Sequence, residues 1–146
     1  VSYYETDNEL ENSKFKLTPI SSAVILNFLQ EIEPEKAAGI DNISGKFLRD
    51  GANILAEPIS QICNISMKYF VFPTECKIAK LKPLYKKGSK TDPKNYRPIF
   101  LLPLVSKIIE KVIHNQTEAF LNEKQILYKY QSGFRKNFST NSCLSY

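Results

Sequence analysis

Tryptophan is absent from the 146 residues, histidine and methionine occur once each, and cysteine occurs three times. With His114 as the single histidine, there is no second imidazole for a metal pair or a general-base dyad, and its position on an expected helix reads as structural or solvent-facing. Cys63, Cys76 and Cys143 offer neither the even count of a disulfide framework nor the close spacing of a zinc site. They read as inert packing residues of a protein from a reducing compartment. No window approaches the roughly 18 uninterrupted apolar residues of a membrane-spanning helix. Val1 to Glu11 are polar and acidic, without the basic start and apolar run of a secretory leader. The sequence shows no internal repeat and no low-complexity stretch. It also lacks an Asp-Asp pair, and beyond Asp41 the acids are scattered singly. Two-metal phosphoryl chemistry needs carboxylates that converge on the ions, and no such set is visible. Asp41 itself reads as a turn cap.

What is present is one domain's worth of chain, with hydrophobic residues making up 42% of it and a formal net charge of +5. The charge is unevenly spread. Residues 1–50 hold nine acids and five bases, whereas Lys77 to Arg97 hold eight bases and one acid. The whole excess therefore lies in one short segment, which charge alone leaves open between a solvated face and an anion-binding surface.

Residues 1–16 read as a loose lead-in. From Thr18, a cap-type residue, Ile20, Val24, Ile25, Phe28 and Leu29 recur at helical spacing to about Glu33, where Pro34 interrupts. Lys36 to Asp41 form a loop, and Ser44 caps a short helix ending at Gly51. An amphipathic helix follows from Ile54 to Phe70, closed by Pro73. Lys77 to Leu102 reads as a β-hairpin with basic arms, one wet face and a tip at Gly88 to Asn95. Pro103 opens a helix whose buried stripe is Leu104, Ile108, Ile109, Val112, Ile113, Phe120 and Leu121. The order of helices, hairpin, helix and basic aromatic tail gives an α+β class.

The chemistry that remains is anion handling. Tyr85-Lys-Lys-Gly88 and Tyr96-Arg-Pro98 place Lys86, Lys87 and Arg97 on facing arms of the hairpin. A lysine point charge beside an arginine fork suits a triphosphate or two adjacent backbone phosphates. Lysine-edged strands also arise simply to block aggregation, so the pattern by itself leaves both readings standing. Gln131 to Thr140 interleaves aromatics with Arg135 and Lys136, as single-strand binding surfaces do, although such aromatics equally serve a core.

Taken in order, these segments resemble the N-terminal part of the reverse transcriptase domain of non-LTR retrotransposons, particularly jockey-like elements. The matching pieces are Lys36-Ala-Ala-Gly-Ile-Asp41, Lys46-Phe-Leu48, Phe72-Pro73 with Lys77, and Ala79-Lys-Leu-Lys-Pro-Leu-Tyr-Lys-Lys-Gly88. Asp92-Pro-Lys-Asn-Tyr-Arg-Pro-Ile99, Ser106-Lys107 with Glu110, and Gln131-Ser-Gly-Phe-Arg135 with Ser139-Thr140 complete them. The likeness covers about residues 15–146. Each piece is short, but their shared order is highly specific.

The resemblance implies an RNA-directed DNA polymerase with a right-hand fold, of which residues 17–146 would be the fingers and the beginning of the palm. It implies RNA template, DNA primer and deoxynucleoside triphosphate as partners, Mg²⁺ as cofactor of the complete enzyme, and a nuclear or cytoplasmic location. Lys86 or Lys87, with Arg97, would grip the incoming triphosphate. Lys77, Lys80, Lys82, Arg135 and Lys136 would contact nucleic acid. The family's catalytic aspartates lie in later strands, so this chain alone is expected to bind without polymerising. A non-enzymatic nucleic-acid-binding module and a pseudogene product are the alternatives. The family usually has Trp where Cys76 stands, Ser where Phe100 stands, and Gly-His where Asn137-Phe138 stand. These departures read as drift in a decayed copy.

Overall fold

The computed structural model describes residues 14–128 together with Gln131, Gly133 and Arg135. Lys136, Phe138 and Cys143, named above, lie outside the described residues. The chain divides into a unit of residues 17–113 and a second unit made of residues 1–16 and 114–146.

The larger unit begins with α1 (Ser22–Gln30), whose N-cap residue Ser21 is extended and makes no side-chain capping bond. The helix is shorter than its apolar spacing suggests, and Thr18 does not cap it. Pro19 intervenes and keeps the preceding residue extended, so winding starts only after Ser21. Ile25 and Leu29, four residues apart on one face, are wholly buried. Glu31 ends the helix ahead of Pro34.

The loop after α1 carries Lys36 to Asp41. The Asp41 carboxylate accepts a hydrogen bond from Ile43 N–H at 3.2 Å, the turn-capping role its position suggests. Ser44 Oγ likewise accepts from Phe47 N–H at 3.2 Å and starts α2 (Gly45–Asp50), which ends at Gly51. α3 (Ala52–Tyr69) follows directly. It is closed at Phe70 in the left-handed conformation, φ 54°. Ala56, Ile59, Cys63 and Met67 fall on one face of α3 and meet Ile25, Leu29 and Leu48 in the core. α1 packs on α3 through these residues.

Asn64, in the middle of α3, reaches beyond its own helix. Its side-chain oxygen accepts from Ile20 N–H at 2.7 Å and its NH₂ donates to the Ile20 carbonyl at 2.9 Å. Both backbone groups of Ile20 are thereby satisfied where the chain enters α1. Asn64→Ala is expected to cost about 2 kcal/mol, because two partly buried backbone groups lose their partners at once. Urea denaturation checks this, with a fall in midpoint and an unchanged slope.

A 3₁₀ turn at Glu75–Lys77 buries Cys76, which is 8% exposed. The position is therefore core, as a residue replacing a large aromatic would be. Burial pushes the Cys63 thiol up to about 11 and raises that of Cys76, so both stay protonated and act as small apolar groups.

Strands β1 (Lys80–Tyr85) and β2 (Tyr96–Leu101) then pair antiparallel, with Lys80 opposite Leu101 and Tyr85 opposite Tyr96. α4 (Leu104–Glu123) follows, and Leu104, Ile108, Ile109 and Val112 complete the core of the larger unit. The α+β class is as the sequence suggests. The hairpin is not half buried, however. Each β1 residue is exposed, as are Arg97 to Phe100 in β2. A two-stranded ribbon has no third layer to cover either side, so both faces are wet. Phe100 accordingly meets no crowding; it is 64% exposed. In the smaller unit the Phe15 and Phe120 rings pack at 5.3 Å.

Candidate phosphate-binding hairpin

Cross-strand partners in an antiparallel pair share a face, and neighbours along a strand alternate. The register therefore sorts the basic residues. Lys80 opposes Leu101, Lys82 opposes Ile99, and Leu84 opposes Arg97. One step further, Lys86 N–H donates to the Asn95 carbonyl at 2.8 Å, continuing the ladder beyond β1. Lys80, Lys82, Lys86 and Arg97 thus stand on a single face, with Leu84, Ile99 and Leu101 between them. Lys87 falls out of that register, so the ladder sets Lys86 and not Lys87 on the face of Arg97.

The tip is tightly tied. Gly88 has φ +93°, a left-handed conformation that disfavours side chains, and a Cβ there would lie 2.6 Å from Asn95 Nδ2. Asn95 Nδ2 donates to the Ser89 carbonyl at 2.9 Å, and Asp92 Oδ1 accepts from Lys94 N–H at 3.0 Å. The Tyr96 hydroxyl donates to the Lys90 carbonyl at 2.8 Å, and the Tyr85 hydroxyl donates to that of Gly88. These pins fix the separation of the two arms. The sequence marks Gly88 to Asn95 as a turn, yet the two tyrosines and Asn95 do this work from outside or at the edge of it.

Among the described residues, no acid is ion-paired with a basic side chain of Lys77 to Arg97. The one acid of the segment, Asp92, spends its carboxylate on backbone. The positive field of the basic face is therefore not internally neutralised and is available to an anion. Lys77 sits in the 3₁₀ turn before β1, at the foot of the hairpin rather than on the ladder. Arg135 belongs to the smaller unit, where its guanidinium donates to the Tyr128 carbonyl at 3.5 Å. His114 is exposed on α4, 3.5 Å from Glu118. Among the described residues no three His, Cys, Asp or Glu side chains come together as a metal site.

The foot of the hairpin is held by Gly39. A Cβ built on it would fall 2.6 Å from Pro103 N, 2.7 Å from the Leu102 carbonyl carbon and 2.8 Å from Pro103 Cα. The Lys36–Asp41 loop thus lies directly against the backbone joining β2 to α4. Glycine is required there for close approach, since any side chain would meet main chain that cannot rotate away.

No family model matches the chain. Among curated proteins it is 30% identical over 142 residues to "Probable RNA-directed DNA polymerase from transposon BS" of Drosophila melanogaster, covering 94% of this chain and 16% of that protein. It is 29% identical over 137 residues to "RNA-directed DNA polymerase from mobile element jockey" of the same species, with 90% of the chain covered. A third relative there, "Probable RNA-directed DNA polymerase from transposon X-element", is 26% identical over 140 residues. The chain spans about one-sixth of the length of these relatives.

Proposed function

The chain is a homologue of the RNA-directed DNA polymerases of jockey-like non-LTR retrotransposons, and on that premise we propose that its hairpin binds the phosphates of an incoming nucleoside triphosphate and of the template strand. The observation that carries this reading is the register, which gathers Lys80, Lys82, Lys86 and Arg97 on one side with no acid among them. Arg97 supplies a planar fork that engages two phosphate oxygens together, and Lys86, diagonally beside it, supplies a point charge for the next phosphate. Lys82 and Lys80 extend the same row toward the foot of the hairpin, where a polynucleotide backbone would continue.

Mg²⁺, implied by the resemblance for the complete enzyme, finds no set of ligands among the described residues. The role proposed is therefore phosphate binding alone, and no step passes through a metal. Given primer, template and magnesium, this chain is expected to bind nucleotide without extending the primer.

Equilibrium binding of a fluorescent deoxynucleoside triphosphate tests the reading. Inorganic tripolyphosphate should displace the nucleotide, and an unphosphorylated deoxynucleoside should not. Displacement by the nucleoside, or templated incorporation by the chain alone, would contradict it.

A further inference from the structure

α3 is apolar on two sides. Ala56, Ile59, Cys63 and Met67 belong to the core, while Ile54, Pro58, Ile62, Ile65 and Tyr69 recur at helical spacing along the side away from it. All five are exposed, Ile54 at 81% and Ile65 at 58%. Single exposed apolar residues are ordinary, but a continuous helical stripe of them marks a surface that another element covers.

The stripe ends in a fixed corner. Phe70, 86% exposed, is held left-handed, a conformation that bulky side chains avoid. Ser66 Oγ donates to the Val71 carbonyl at 2.7 Å and Val71 N–H donates to the Ser66 carbonyl at 3.1 Å, so the corner is tied to the last turn of α3.

Charge decides what fits this face. Glu57, Gln61 and Lys68 line one edge of the stripe, with Gln61 Nε2 donating to Glu57 Oε1 at 3.0 Å and Lys68 Nζ 5.3 Å from the centre of the Tyr69 ring. Neither Glu57 nor Lys68 is ion-paired among the described residues. They stand roughly 16 Å apart along the helix, too far to meet within one chain. A second α3 running antiparallel brings them together. A two-fold axis that reverses the helix sets each edge beside the same edge of the partner, so Glu57 of each copy meets Lys68 of the other. With the axis at Ile62, Ile54 at one end of the stripe comes against the partner's Phe70 beyond the other. A parallel pair would instead set the charged edge against Leu55, Ile59 and Ser66, which are packed into the core or beside it.

We propose that α3 is the interface of an antiparallel homodimer, with Ile62 on the two-fold axis and a Glu57–Lys68 ion pair at each end. The surface lies away from the hairpin, and the proposal does not rest on phosphate binding.

Sedimentation equilibrium of the chain should show monomer and dimer exchanging in the micromolar range. Glu57→Lys and Lys68→Glu, both at exposed positions, should each weaken the dimer about fivefold, because each sets like charges together at two symmetric places. The two substitutions combined should restore it to within about twofold. Contacts within one chain predict no such rescue. Ile62→Glu, which places two carboxylates face to face on the axis, should weaken the dimer at least about tenfold. A chain that stays monomeric throughout the micromolar range would overturn the proposal, as a face reserved for a different partner requires. Single swaps that leave dimerisation unchanged, or a double swap that fails to restore it, would overturn it equally. Nucleotide binding by the same variants should match that of the unaltered chain, so the phosphate reading stands or falls separately.

Discussion

Gly39→Ala is expected to destabilise the chain by about 3 kcal/mol, the upper end of what overpacking usually costs. The reason is geometric. The new methyl would sit within 2.8 Å of three main-chain atoms of Leu102 and Pro103, and nothing there is a side chain that can swing aside. Either the Lys36–Asp41 loop lifts away or the junction between β2 and α4 shifts, and both displace core elements. Leu104, the first residue of α4, is only 3% exposed. Chemical denaturation measures the effect, with Ala38→Gly in the same loop as a control expected to cost far less. Equal stability of Gly39→Ala and the unaltered protein would mean that the loop does not lie against Pro103.

The second large effect concerns binding. Lys86→Ala combined with Arg97→Ala should weaken triphosphate binding at least tenfold, about 1.4 kcal/mol. Lys87→Ala combined with Lys94→Ala removes the same charge from the same tip but from outside the ladder face. At physiological ionic strength the Debye length is about 8 Å, so charges not in contact with the ligand contribute little. The second pair should then change affinity by less than about twofold. Equal losses in both pairs would reduce the hairpin to a diffuse positive patch.

Several features are legible in the sequence because they depend on neighbours along the chain. Ser44 is a cap residue placed before a short helical segment, and it caps one. Asp41 closes a local turn. The hairpin follows from two strand-like runs around a Gly-, Pro- and Asn-rich tip, and its strands fall inside the expected bounds. Apolar spacing points to a start of α1 at Thr18 because it continues through Ile20 whether or not the backbone winds. Pro19 and the extended backbone at Ser21 delay the winding despite that spacing.

What sequence pattern could not show is whatever depends on partners far away along the chain. Gly39 stands in the Lys36–Asp41 piece that carries the resemblance, but only its contact with residues 102 and 103 gives it a physical reason. Asn64 carries no local signal of its bonds to Ile20, 44 residues earlier. The hairpin's two faces were hidden for a different reason. Alternation within either arm is visible, but which lysine joins Arg97 depends on register, and a slip of one residue would exchange every side chain between faces. Lys86 and Lys87 are adjacent and chemically identical, so nothing short of the ladder separates them.

Backbone amide shifts followed by NMR during titration with a deoxynucleoside triphosphate test the central claim most directly. The phosphate-binding face predicts the largest saturable changes at Lys82, Lys86 and Arg97, with Lys87, Lys90 and Lys94 moving little. Changes of equal size across all the lysines from 77 to 94, or largest at the tip, would contradict it.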